Sequence, residues 1–94
     1  QLSSDDIKEI AGRMIDTLRN RLSAMDIDME FSPDVLDLVA KAGFDPIYGA
    51  RPLRRALQNT LEDKLSEEIL QGKVKADRSY RCALSQNEII FSEV

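Results

Sequence analysis

The sequence predicts an α+β domain in which three helices pack against a small β-sheet. Apolar residues recur at helical spacing in three segments, residues 26–31 alternate between polar and apolar, and residues 79–94 have the pattern of a β-hairpin. The chain has 94 residues, of which 43% are hydrophobic and 32% charged, a profile typical of a globular domain. No repeat or linker interrupts it, so we expect a single domain over residues 1–94.

The first predicted helix covers about residues 4–25. Ser3 is placed to cap it, because Asp6 follows three positions later as an acidic form of the capping box. Leu2 and Ile7 then occupy the positions of a hydrophobic staple. The expected buried stripe consists of Ile7, Ile10, Ala11, Met14, Leu18, Leu22 and Met25.

A strand is predicted at residues 26–31, because Ile27, Met29 and Phe31 alternate with three carboxylates. The apolar side chains should face the core and the carboxylates the solvent. A calcium loop is disfavoured here, since it needs a turn glycine and a distal glutamate that this segment lacks.

Two further helices are predicted. The second begins at Ser32 and Pro33 and should end at Gly43 in a left-handed conformation. The third covers about residues 51–71, with Gly72 as its terminator. Its expected buried stripe consists of Leu53, Ala56, Leu57, Leu61, Leu65 and Ile69.

The predicted hairpin has strands at residues 79–85 and 88–94, joined by a two-residue turn at Gln86 and Asn87. A turn of this length sets the register of the facing residues. It places Leu84 opposite Ile89 and Cys82 opposite Phe91, so that one face is apolar throughout.

Composition excludes several kinds of active site. The chain contains no histidine, which removes Ser-His and Cys-His nucleophile pairs and nearly every zinc site. Its one cysteine, Cys82, is interpreted as a small core residue, and a lone cysteine suits a reducing compartment such as the cytoplasm. No apolar run reaches the length of a membrane span, so we expect no membrane association.

The charge is unevenly distributed along the chain. The net charge is −4, with five basic and ten acidic side chains in residues 1–50 but seven basic and five acidic in residues 51–78. The acidic total disfavours nucleic-acid binding. The basic stretch nevertheless keeps nucleic acid as a weaker alternative, through Arg51, Arg54, Arg55 and Lys64.

The loop at residues 44–50 is unusually apolar and must dock on the core or on a partner. Arg51 follows it at a helix start, where an arginine either contacts an anion or forms a structural salt bridge. The spacing from Gly43 to Gly49 does not match a phosphate-binding P-loop, and the lysine is missing. From the residues alone, the chain is a non-catalytic interaction or regulatory domain. One alternative is a free-standing module that docks a partner through residues 44–53.

Residues 43–58, with the sequence GFDPIYGARPLRRALQ, resemble the sensor-2 signature of Clp-type AAA+ unfoldases of the ClpA, ClpB and ClpC kind. Residues 18–22 and 61–72 extend the resemblance, the latter being most similar to the ClpC branch. The resemblance implies the C-terminal small subdomain, or lid, of the second AAA+ module. The chain would then be a fragment of a larger protein and not an enzyme on its own.

The resemblance also implies functional residues and partners. Arg51 would reach the terminal phosphate of ATP bound with magnesium on the large subdomain, and Ile10 and Met14 would lie near the adenine. No tightly bound nucleotide is expected on this chain itself. The implied partners are the large subdomain of the same chain, the neighbouring subunit of a hexamer, and a peptidase reached through other parts of the parent. The residues that support the motif around Arg51 are Gly49, Ala50 and Pro52.

Overall fold

A computed structural model describes residues 3–94 and confirms the α+β class. Three helices pack on a three-stranded sheet. In chain order the elements are α1 (Ser4–Ala24), β1 (Ile27–Phe31), α2 (Pro33–Ala42), α3 (Leu53–Leu57), a π-helical segment (Gln58–Glu62), α4 (Asp63–Leu70), β2 (Arg78–Ser85) and β3 (Glu88–Glu93). Because α3, the π-helical segment and α4 follow one another without a break, we refer to them together as the third helix.

Helix α1 begins with the predicted capping box, in which Ser3 and Asp6 exchange side-chain and backbone hydrogen bonds of 3.1 and 3.2 Å. The predicted staple of Leu2 on Ile7 lies outside the described residues. Met25 was expected in the buried stripe, but it is 52% exposed because the helix ends at Ala24. The residues of α1 that are buried are Ile7, Ala11, Ile15, Leu18 and Leu22, of which the sequence pattern missed Ile15.

The sheet has the order β1-β2-β3, with β1 parallel to β2 and β2 antiparallel to β3. Its hairpin has the predicted register, with Leu84 opposite Ile89 and Cys82 opposite Phe91. Gln86 and Asn87 have φ values of 53° and 65°, as a two-residue type I′ turn requires. The sheet directs Ile27, Met29, Tyr80, Cys82 and Ile89 into the core.

Helix α2 begins at Pro33 with Ser32 at the capping position, as predicted. The Ser32 hydroxyl makes no capping hydrogen bond, and its Oγ is buried without a partner among residues 3–94. Gly43 ends the helix, but the predicted left-handed conformation is wrong, since its φ is −97°. A Cβ at Gly43 would lie 2.7 Å from the Leu53 Cα and closer still to the Leu53 Cδ1. Glycine is therefore needed because the third helix approaches closely.

The third helix buries Leu53, Ala56, Leu57, Leu61 and Leu65, as predicted, while Ile69 is half-buried. It ends in the predicted left-handed Gly72, whose φ is 76°. The backbone N–H groups of Gly72 and Lys73 donate to the carbonyls of Ile69 and Glu68 at 3.0 and 2.9 Å. These bonds satisfy carbonyls that the last helical turn leaves open. Of the helices in residues 3–94, none has the length and apolar character needed to cross a bilayer.

Candidate functional site

The loop between α2 and the third helix is closed by its own backbone. Asp45 and Gly49 donate to each other's carbonyls, with N···O distances of 3.0 and 2.7 Å. The Asp45 carboxylate lies across this turn and accepts hydrogen bonds from the N–H groups of Ile47 and Tyr48 at 2.7 and 3.0 Å. Gly49 completes the turn with a φ of 63°, a conformation that favours glycine. The loop therefore has a defined conformation, which four hydrogen bonds around Asp45 stabilise.

Arg51 leaves this loop with an exposed side chain. Its backbone N–H donates to the Tyr48 carbonyl at 3.2 Å, and its Cζ lies 5.6 Å from the centroid of the Tyr48 ring. The six salt bridges found in residues 3–94 do not include Arg51. The structural salt bridge considered for Arg51 is thus not formed within the described part of the chain.

The residues that flank Arg51 shape the backbone. The Ala50 carbonyl accepts from the Leu53 N–H at 3.0 Å, and the Pro52 carbonyl accepts from the Ala56 N–H at 3.0 Å. Pro52 is the N-cap of α3, with a φ of −78°, which the proline ring favours. Together with the turn at Gly49, these contacts fix the direction in which Arg51 leaves the helix start.

Ile10 and Met14 are half-buried on α1 and pack against the core. Met14 lines a shallow pocket of about 70 Å³ between α1 and the third helix, together with Arg54, Leu57 and Glu62. Arg51 and Ile10 do not line this pocket. The structure therefore brings Met14 beside Arg54, one turn beyond Arg51, and leaves Ile10 outside the pocket.

The start of the third helix is locally cationic. Arg51, Arg54 and Arg55 are exposed, and none of them belongs to a salt bridge within residues 3–94. The partial positive charge of a helix N-terminus adds to theirs. Lys64, the fourth cation of the nucleic-acid alternative, lies more than two turns further along the helix, in α4. The cluster therefore favours a compact anion over an extended nucleic-acid strand.

An exposed guanidinium without a carboxylate partner fits a contact to one phosphate group, because its N–H donors match phosphate oxygens in pairs. The described residues contain no group of three His, Cys, Asp or Glu side chains placed to hold a metal ion. The exposed guanidinium of Arg51 is thus free of a carboxylate within residues 3–94 and can contact one phosphate-like anion.

The sequence singled out residues 44–53 but assigned no individual role to two of them, Asp45 and Tyr48. The signal for Asp45 was present, since Asp commonly accepts hydrogen bonds from backbone N–H groups two or three residues later in turns. For Tyr48 the signal was only its place three residues before Arg51. Whether a ring and a guanidinium meet at that separation depends on the turn between them, which Gly49 makes.

Comparison with known proteins identifies the family. Residues 2–82 match the model of the C-terminal D2-small domain of ClpB protein. The chain is 40% identical over 89 residues to the chaperone protein ClpB of Vibrio vulnificus. That match covers 95% of this chain and 10% of the relative. It is 49% identical over 72 residues to the ATP-dependent Clp protease ATP-binding subunit ClpC of Staphylococcus saprophyticus, covering 77% of this chain and 9% of that protein.

A third relative is the ATP-dependent Clp protease ATP-binding subunit ClpA homolog of Porphyra purpurea, 42% identical over 79 residues. That match covers 84% of this chain and 10% of the relative. The chain thus spans about a tenth of the length of the curated relatives it matches. ClpA, ClpB and ClpC proteins all match, as the resemblance at residues 43–58 predicts. On these findings, the chain belongs to the ClpB D2-small domain family.

Proposed function

We propose that this chain is the lid domain of an ATP-driven Clp-type protein unfoldase and that Arg51 contacts the terminal phosphate of the bound ATP. The observation that carries the proposal is the exposed guanidinium of Arg51, which is held by a hydrogen-bonded loop and has no carboxylate partner in residues 3–94. A side chain in this state can bind an anion without first breaking a salt bridge.

In this proposal the remaining nucleotide contacts come from a longer protein. The relatives are about ten times the length of this chain, which leaves room for a large subdomain that holds ATP and magnesium. The chain itself then has no hydrolytic activity and binds free ATP very weakly, because one arginine and a few apolar contacts cannot outweigh the hydration of a triphosphate. Met14, beside Arg54, and Ile10 are the proposed contacts near the adenine.

The proposed partners follow from the same assignment. They are the large subdomain of the same chain and the neighbouring subunit of a cytoplasmic hexamer, and a peptidase is contacted through other parts of the protein. The family model and the names of the relatives support this assignment. Pairing with a peptidase is suggested by the ClpC relative, whose name describes an ATP-binding subunit of a protease.

The test is Arg51→Ala in the longer protein that contains this chain. We expect ATP turnover to fall at least about tenfold, which is ~1.4 kcal/mol of transition-state stabilisation. Arg51→Lys should restore little of the lost ATP turnover, because a point charge does not reproduce the planar fork of the guanidinium. Steady-state ATPase rates of variants that remain folded and hexameric provide the measurement.

Thermal melting of the 94-residue chain is the control for this experiment. Because Arg51 is exposed, its replacement by alanine should change the free energy of unfolding by less than about 1 kcal/mol. Full ATPase activity in a folded, hexameric Arg51→Ala protein would exclude the phosphate contact. A fall in turnover that merely follows a lower melting temperature would assign Arg51 a structural role.

A second function is favoured by the exposed apolar side chains of residues 44–53. Phe44, Ile47 and Tyr48 are 46%, 83% and 60% exposed, and Phe44 also lines a groove of about 470 Å³ between α1 and α2. A module that docks a partner through this loop would use these side chains. The Arg51 experiment separates the two functions, since a docking loop predicts unchanged ATP turnover in the Arg51→Ala protein.

A further inference from the structure

The Arg51 guanidinium lies over the ring of Tyr48, close enough for a cation–π interaction. The separation of 5.6 Å between the Arg51 Cζ and the ring centroid is within the range of about 6 Å over which an aromatic face attracts a cation. In the described residues Arg51 has neither a salt bridge nor a side-chain hydrogen bond that would compete with the ring.

Tyr48 is itself held by the loop. Its N–H donates to the Asp45 carboxylate at 3.0 Å, and its carbonyl accepts from the Arg51 N–H at 3.2 Å. The left-handed Gly49 reverses the chain between the two residues. The backbone thus fixes the positions from which the Tyr48 and Arg51 side chains extend. The ring is 60% exposed, so packing in the core does not determine its position.

We infer that Tyr48 is a positioning residue for Arg51. The ring restricts the long arginine side chain to conformations that keep its guanidinium over the loop, so less conformational freedom is lost when the fork meets an anion. This inference rests on the proposed function, because it names the group that directs the side chain proposed to contact phosphate. Asp45 contributes indirectly, because its carboxylate accepts a hydrogen bond from the Tyr48 backbone N–H.

The contact itself is tested on the 94-residue chain by proton NMR. The ring current of Tyr48 should shift the Arg51 δ-methylene protons upfield. The shift should persist in Tyr48→Phe, which keeps the ring, and disappear in Tyr48→Leu, which removes it. Tyr48→Phe should melt at the temperature of the unmodified chain and Tyr48→Leu a few degrees lower, because the side chain is largely exposed and only the ring contact is lost. An Arg51 shift that is the same in all three chains would overturn the inference.

The consequence is tested in the longer protein by ATP turnover. Tyr48→Leu should lower kcat about two- to fivefold, the factor that corresponds to the ~0.5–1 kcal/mol of an exposed cation–π contact. Tyr48→Phe should retain the unmodified rate. In the Arg51→Ala background, Tyr48→Leu should have no further effect, whereas a merely structural role would lower turnover in both backgrounds.

The failures of the two proposals are distinguishable. If Arg51→Ala leaves turnover intact, the phosphate contact is wrong, while the NMR shift still reports whether Tyr48 holds Arg51. If Arg51→Ala lowers turnover and Tyr48→Leu does not, the positioning role is overturned and the phosphate contact stands. Equal losses in Tyr48→Phe and Tyr48→Leu would also overturn it, because they would implicate the hydroxyl instead of the ring.

Discussion

At the scale of single residues, Gly12 and Gly43 predict opposite effects of the same substitution. A Cβ at Gly43 would meet the Leu53 Cα at 2.7 Å, whereas the nearest atom to one at Gly12 within residues 3–94 would be the Leu36 Cδ1 at 4.0 Å. Gly43→Ala should therefore destabilise the domain by about 1–3 kcal/mol through overpacking. Gly12→Ala lies inside α1 and should stabilise it by about 0.5–1 kcal/mol. Urea unfolding of the 94-residue chain measures both, and a Gly43→Ala chain at least as stable as the unmodified one would contradict the packing described for Gly43.

Gly43 also shows where residue-level prediction from sequence stops. The sequence identified it as the end of α2, since a glycine after an apolar helical stripe is a common terminator. The physical reason was wrong, because Gly43 has a negative φ and is needed for the approach of Leu53. Similarly, Arg51 was found through a motif, but its contact with Tyr48 was not. In both cases the missing information is a distance between segments, which local pattern does not contain.

At the scale of elements, the third helix organises the core. Its leucines recur every four residues, but an α-helix turns by about 100° per residue, so a four-residue stripe drifts by about 40° at each repeat. The wider π-helical turn at Gln58–Glu62 rotates less per residue and counters this drift. The turn therefore brings Leu61 and Leu65 closer to the face of Leu53 and Leu57, and all four side chains are buried. The sequence predicted the stripe but not the π-helical turn, because either helix type satisfies a spacing of four.

The same helix supplies a prediction with an internal control. Leu57→Ala and Leu61→Ala should each cost about 2–5 kcal/mol, because both side chains are buried and their truncation leaves a cavity. Leu70→Ala at the end of α4 should change stability by less than about 0.5 kcal/mol, since that side chain is 87% exposed. Chemical denaturation of the three variants measures these changes in the free energy of unfolding. Costs at Leu57 and Leu61 as small as at Leu70 would contradict their burial.

At the scale of the whole molecule, the hairpin was predictable and the parallel pairing was not. A two-residue turn fixes the register of β2 and β3 locally. The pairing of β1 with β2 joins Ile27 to Arg78 across α2 and the third helix, and no local pattern encodes it. It places Cys82 in the central strand, covered by the helices on one face and flanked by β1 and β3.

The enclosed position of Cys82 makes its thiol a reporter of global unfolding. The side chain is 0% exposed, and burial raises the pKa of the thiol from 9.0 to about 12, an effect that the Lys64 charge partly opposes. The thiolate is the reactive form of cysteine. A thiol reagent should therefore modify the domain only through its unfolded molecules, slowly in buffer and rapidly in urea.

The same shift makes stability depend on alkaline pH, with a sign that follows from linkage. The unfolded thiol ionises near pH 9 while the folded thiol does not until about pH 12, so stability is fully present below pH 9 and is lost as pH rises towards 12. From pH 8 to pH 10, the free energy of unfolding should fall by about 1.4 kcal/mol more in the unmodified chain than in Cys82→Ala. Urea titrations of both chains at each pH provide the comparison. If the two stabilities decline in parallel, the Cys82 thiol ionises as readily in the folded as in the unfolded state, and the central strand is more open than the packing of this sheet implies.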